Sequence, residues 1–136
     1  MADQRARAGD PQSVPFYKKA IDLDPNFALA LARLGVVYSN IGESNLAREY
    51  MKEAFALRDR VSELEKLYIE HHYYDIVTGE IEKEIETLEL YRSTYPRDST
   101  PSNNLALAYF FIGQPEKSLA AAQETLRLAP DHQMSY

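Results

Sequence analysis

His71 and His72 are the side chains with the widest chemical repertoire in this sequence, and their spacing limits what they can do together. Neighbours on a helix point about 100° apart, so the two imidazoles cannot grip one ion. His71 and Asp75 do have the i, i+4 spacing of zinc-binding helices, but two ligands make an incomplete site. Both histidines are therefore read as packing or hydrogen-bonded groups, and no metal is expected. The clusters Glu63/Glu65/Glu70 and Glu80/Glu82/Glu84/Glu86 could supply paired carboxylates for acid–base work. Their alternation with apolar residues instead marks the solvated face of helices, with Glu84 alone expected to turn toward a neighbouring helix. The sequence has no cysteine, no P-loop and no nucleophile elbow. The expectation is a non-catalytic chain with no cofactor.

Charge and composition narrow the partners. A net charge of −6, with Lys and Arg scattered among Glu and Asp, lacks the basic patch that phosphate-driven nucleic-acid binding needs. The longest apolar run, Leu105 to Ile112, is far short of the roughly 20 residues that cross a bilayer, so no membrane insertion is expected. The first residues carry no apolar signal core. A cytoplasmic module is the expectation.

The elements that must position these residues are all helical, about seven of them, and no stretch alternates with period 2. Residues 1–12 carry little apolar content. From Ser13 a short helix presents Tyr17, Ala20 and Ile21 and ends at Asp24-Pro25, because the residue before proline is pushed out of the α region. Phe27 to Leu57 is an αα-hairpin hinged at Gly42. Leu31, Leu34, Gly35 and Tyr38 share one face of its first helix, and Ala47, Met51 and Ala54 one face of its second. A glycine inside a helix costs about 1 kcal/mol against alanine, so Gly35 implies that the partner helix needs the space. Ser62 with Glu65 forms a capping box that opens a helix running to about Val77. Glu80 to about Tyr95 is amphipathic through Ile81, Ile85, Leu88 and Tyr91, and Pro96 stops it. Asp98 or Ser99 caps a helix ending before Gly113, and Pro115 sits in the first turn of the last helix.

Repetition decides the architecture. Gly42, Gly79 and Gly113 each hinge a helix pair and lie 37 and 34 residues apart. A helix–turn–helix unit of about 34 residues is the tetratricopeptide period. The chain resembles that family over roughly Phe16 to Pro130. Leu31, Leu34-Gly35, Tyr38, Gly42, Ala47, Met51 and Ala54 fall on its signature positions, as do Leu105-Ala106, Tyr109, Gly113, Ser118, Ala122, Thr125 and Pro130. The implied organisation is a closing helix of a preceding repeat at 13–25, repeats at 26–60, 61–97 and 98–130, and the start of another, or a tail, at 131–136. The middle repeat departs from the pattern, with His71, His72, Asp75 and Glu84 where small or apolar residues belong. A shifted register is expected there, with Leu67, His71 and Tyr74 on the packing face. The implied fold is an all-α solenoid of stacked antiparallel helix pairs winding as a right-handed superhelix. The open half-repeats at both ends suit a piece of a longer array. A looser likeness, over DPNFALALARLGVVYSNIGE and the stretch from Glu65 to Asp98, is to repeat regions of multidomain bacterial signalling proteins. In those, a Ser/Thr protein kinase or winged-helix regulator precedes the repeats.

In such arrays the first helix of each pair lines a concave groove. Mapped residue by residue, the resemblance implies lining by Leu29, Ala32, Val36 and Asn40 from the first repeat. It adds Ile69 and Tyr73 from the second, and Asn103, Leu107 and Phe110 from the third. Ala32 and Val36 stand where some relatives place a carboxylate clamp, so that clamp is not expected. An apolar groove of this kind suits a protein partner, as a peptide or helix. The alternatives are a structural spacer that self-associates and a regulatory segment of a larger bacterial kinase or transcriptional regulator.

Overall fold

The computed structural model describes residues 11–129, which are all-α: no strand occurs among them, and seven α-helices do. In chain order these are α1 (Val14–Leu23), α2 (Ala28–Asn40), α3 (Ser44–Ala56), α4 (Glu63–Tyr73), α5 (Ile81–Thr94), α6 (Thr100–Phe111) and α7 (Pro115–Leu128). Residues 1–10 and 130–136 lie outside the described residues, and with them most of the N-terminal stretch 1–12 and all of the stretch 131–136. The chain divides into two compact units, one ending at Glu80 and the other beginning at Ile81. The two helices expected to pair as the middle repeat therefore fall in different units.

In the first unit, α2 is the central element. It is apolar around nearly its whole circumference, the composition of a helix buried on all sides. Leu31, Leu34 and Val37 are almost fully buried, and Leu29 and Arg33 are its only partly exposed residues between Ala28 and Tyr38. Ala47, Met51 and Ala54 of α3 are fully buried, as their spacing predicts. A methyl group added at Gly35 would lie 3.1 Å from Met51 Cε and 3.2 Å from the Ala47 carbonyl oxygen. That is the close approach the mid-helix glycine implied.

Gly42 turns α2 into α3 at φ +85°, a left-handed conformation that glycine adopts without steric penalty. Ser62 Oγ accepts the Glu65 amide at 3.2 Å, half of the expected capping box. α4 does not continue regularly to Val77. Its last turn widens into a π-helical segment, Tyr74–Thr78, which Gly79 ends at φ +70°. A π turn takes up an extra residue. The turn lies after Leu67 and His71, which the regular part of α4 already buries, as the shifted packing face expected of them.

In the second unit, α5 buries Leu88 and Tyr91, and α6 buries Leu105, Ala108 and Tyr109. Ser99 is the N-cap of α6 but its side chain makes no capping bond; the preceding Asp98 accepts the Thr100 amide through one carboxylate oxygen at 2.9 Å and the Tyr91 hydroxyl through the other at 2.9 Å. α6 and α7 are joined inside by Ser102 and Thr125, whose hydroxyl oxygens lie 2.8 Å apart and fully buried. Ser118 Oγ adds a bond to the Ala106 carbonyl at 2.7 Å.

Candidate peptide-binding surface

The nine residues mapped to a groove separate into three groups. Ala32, Val36 and Ile69 are inside the protein, at 0%, 7% and 0% exposure. They belong to a single core cluster with Ala28, Leu31, Met51 and Ala54, against which Tyr73, Ile76 and Val77 also pack. The rows expected to line the groove in the first and second repeats are thus packed together, so no open apolar channel runs between α2 and α4. Ile76 and Val77, both in the π turn, pack against the same cluster as Ala28 and Ala32.

Tyr73 is half-buried for a related reason. Its ring stacks on Phe55 with centroids 3.7 Å apart and planes at 12°, while the Arg58 guanidinium carbon lies 3.8 Å from the Phe55 ring centre. Leu29 is partly buried and lines a cavity formed with α1. Asn40 is exposed at the end of α2.

The third group is open. Asn103, Leu107 and Phe110 are exposed on α6, and Phe111 joins them. Leu107 is 57% exposed, Phe110 67% and Phe111 75%. Positions 103, 107, 110 and 111 follow the i, i+4, i+7, i+8 spacing of one helical face. The face opposite holds Leu105, Ala108 and Tyr109 inside the unit, so α6 is apolar on two sides and only one is covered.

The histidines sit among aromatic rings. His71 is 1% exposed and its ring centroid lies 4.0 Å from that of His72, with the Tyr68 ring edge-on to both. Burial holds His71 well below its ordinary pKa, with the neighbouring His72 adding to the effect, and burial lowers His72 to about 4. Both are neutral at physiological pH. Partial desolvation raises Asp75, although the residue is exposed. Among the described residues, no three His, Asp or Glu side chains are grouped to hold a metal ion. No helix among them is long and apolar enough to cross a membrane.

Two residues that the groove mapping passed over shape the first unit's surface. Phe16 and Phe27 stand 45% and 43% exposed at the rim of the cavity that Leu29 lines, and Arg33 supplies its one charged group. The signal was present: Arg33 is the lone charged residue in an otherwise apolar segment from Phe27 to Tyr38.

Comparison with known proteins agrees with this architecture. Residues 16–49 and 102–132 each match a family model described as tetratricopeptide repeat. Among curated proteins none matches the chain. Solved structures do. One of MamA is 27% identical with a TM-score of 0.57, over 96% of this chain and 75% of that one. A second MamA structure is 28% identical with a TM-score of 0.56, over 95% and 69%. MamA from Desulfovibrio magneticus RS-1, at 19% identity and a TM-score of 0.57 over 88% and 66%, shares the fold. The chain therefore carries tetratricopeptide repeats at both ends of its described length, in an all-α fold similar to that of MamA.

Proposed function

We propose that the chain is a non-catalytic protein–protein interaction scaffold that holds an apolar peptide or amphipathic helix against α6. The supporting observation is the exposed row Leu107, Phe110 and Phe111, beside Asn103. Large apolar side chains grouped on one helical face lose contact with water when a partner covers them, and each contributes about 1.5–3 kcal/mol when fully buried. A partner helix with apolar residues at i, i+3/i+4 and i+7 would match the row, and Asn103 could hydrogen-bond its backbone or polar edge. The acceptor site differs from a groove running through all repeats, because Ala32, Val36 and Ile69 are packed away.

Panning a peptide-display library against the immobilised full chain tests this reading. Enriched peptides should carry apolar residues at helical spacing and bind at least tenfold more weakly to the Leu107→Glu/Phe110→Glu chain. Equal affinity for that variant, or no enrichment, would overturn it.

Self-association is the second reading, favoured by Leu119 and Leu126. They are 60% and 49% exposed and seven residues apart on α7, which gives that helix its own apolar row. Light scattering over a concentration series separates the two, since a monomer at every concentration removes self-association. No observation in this structure favours the kinase- or regulator-linked alternative.

A further inference from the structure

In the first unit, α1, α2 and Phe27 between them border a half-open cavity of about 220 Å³ lined by Phe16, Tyr17, Ala20, Phe27, Leu29, Ala30 and Arg33. Arg33 is the one charged residue among the lining residues, and most of the others are apolar. Two donors in this region are buried without an acceptor among the described residues: Arg33 Nε and the Tyr68 hydroxyl. The two side chains are neighbours, with the Arg33 guanidinium carbon 5.7 Å from the Tyr68 ring centre. The Arg33 charge also acts on the Tyr68 hydroxyl, although burial prevails and pushes that phenol up to about 12.

Buried donors are nearly always satisfied, and a cation against an aromatic face at an apolar site favours an anion arriving from outside. Among the described residues no carboxylate pairs with Arg33. A guanidinium presents a planar fork that matches a carboxylate. The cavity is smaller than the roughly 300–1,000 Å³ of drug-sized sites. Its two exposed phenylalanines, Phe16 and Phe27, widen the apolar surface at the rim.

We infer that this cavity binds a small monocarboxylate with an apolar tail, the carboxylate on Arg33 and the tail between Phe16, Ala20, Phe27 and Leu29. This site lies in a different unit from α6 and does not rest on the peptide-binding reading.

Calorimetric titration of the full chain with octanoate, 1-octanol and acetate tests it. Octanoate should saturate one site per chain, and octanol, which keeps the tail without the charge, should bind at least tenfold more weakly. Acetate, which keeps the charge without the tail, should also bind at least tenfold more weakly. Arg33→Met should lower octanoate affinity at least tenfold, and Ala20→Leu, which fills the cavity, should do the same. The Leu107→Glu/Phe110→Glu chain should bind octanoate like the parent, which separates this site from the α6 face. Absence of saturable octanoate binding would overturn the inference, as would equal binding of octanol or full affinity in Ala20→Leu. Should Arg33→Met fail to fold by circular dichroism, the octanol comparison on the parent chain and the Ala20→Leu result decide the matter.

Discussion

The Tyr109 hydroxyl donates a hydrogen bond to Glu89 Oε2, and through that carboxylate a residue of α6 is tied to α5. The other oxygen of Glu89 takes Arg92 Nη2 at 2.5 Å, and Arg92 Nη1 reaches Glu124 of α7 at 3.4 Å. Three helices of the second unit thus share one chain of charge-assisted contacts at its edge. Burial, then the bond to Glu89, pushes the Tyr109 phenol up to about 12.

Removing that hydroxyl should loosen the second unit without leaving a cavity. Tyr109→Phe keeps the ring and deletes the donor to a charged acceptor, a bond of about 1.5–3 kcal/mol at most and less at a partly solvated edge. A loss of about 1 kcal/mol in urea-induced unfolding is expected. A change below about 0.3 kcal/mol would show that water replaces the tyrosine at no cost.

Inside the same unit, the buried pair Ser102 and Thr125 has more bonds than protons. Ser102 Oγ can donate to the Ser99 carbonyl at 3.1 Å, and Thr125 Oγ1 to the Ala121 carbonyl at 3.0 Å. One hydroxyl must give up its carbonyl to bridge the 2.8 Å between them. Ser102→Ala and Thr125→Val should each cost about 1 kcal/mol, and the double variant less than their sum by roughly 0.5–1.5 kcal/mol. Strict additivity in the thermodynamic cycle would mean the two hydroxyls act independently.

Gly35 gives a steric prediction. Alanine there gains about 1 kcal/mol of helix propensity. Its methyl group meets the Ala47 carbonyl and Met51 Cε at 3.2 and 3.1 Å, and the carbonyl cannot swing away as a side chain can. Gly35→Ala should therefore be destabilising on balance, by about 1 kcal/mol. Gly35→Leu should cost several times that by overpacking. A stabilised alanine variant, measured by thermal melting, would show that α2 and α3 can separate freely.

The helices and their hinges were legible because each has a local physical cause. Gly42, Gly79 and Gly113 punctuate the period and are the glycines at positive φ among the described residues. Leu31, Leu34, Ala47 and Met51 lie where 3.6-residue spacing puts them. Which of the mapped positions would stay exposed was only partly legible. Ala32 and Val36 look the same in sequence whether they line a channel or a core, and the difference depends on Ile69, Tyr73 and the π turn covering them. Helical periodicity cannot foresee that widened turn, since one extra residue rotates everything after it by about 100°. On α6, by contrast, Leu107 and Phe110 stay open, and the mapped positions coincide with the exposed ones.

That contrast is measurable. Val36→Glu would bury a carboxylate in the cluster of Ile69 and Met51, and an uncompensated buried charge costs about 3–5 kcal/mol. Leu107→Glu changes a residue already 57% in water and should stay within about 0.5 kcal/mol of the parent. Chemical denaturation of the two variants should place them at opposite extremes. Similar stabilities would mean that Val36 is reachable by solvent and that the first repeat's groove is open after all.

Acid should destabilise the first unit through His71. Its folded pKa is depressed by burial, well below the ordinary value of about 6.5 that holds in the unfolded chain. The unfolded state therefore binds the extra proton first. Stability from this group is complete above about pH 6.5 and is lost progressively as pH drops below it. His72, lowered to about 4, acts in the same direction. Asp75, raised by partial desolvation, works the opposite way at lower pH, gaining stability as it protonates. Unfolding free energies of the parent and of His71→Gln, compared from pH 7.5 to 5, isolate the histidine: the gap between them should narrow steadily as pH falls. A gap independent of pH would mean that His71 takes up its proton as easily in the fold as outside it, and that the ring cluster with Tyr68 and His72 opens to water.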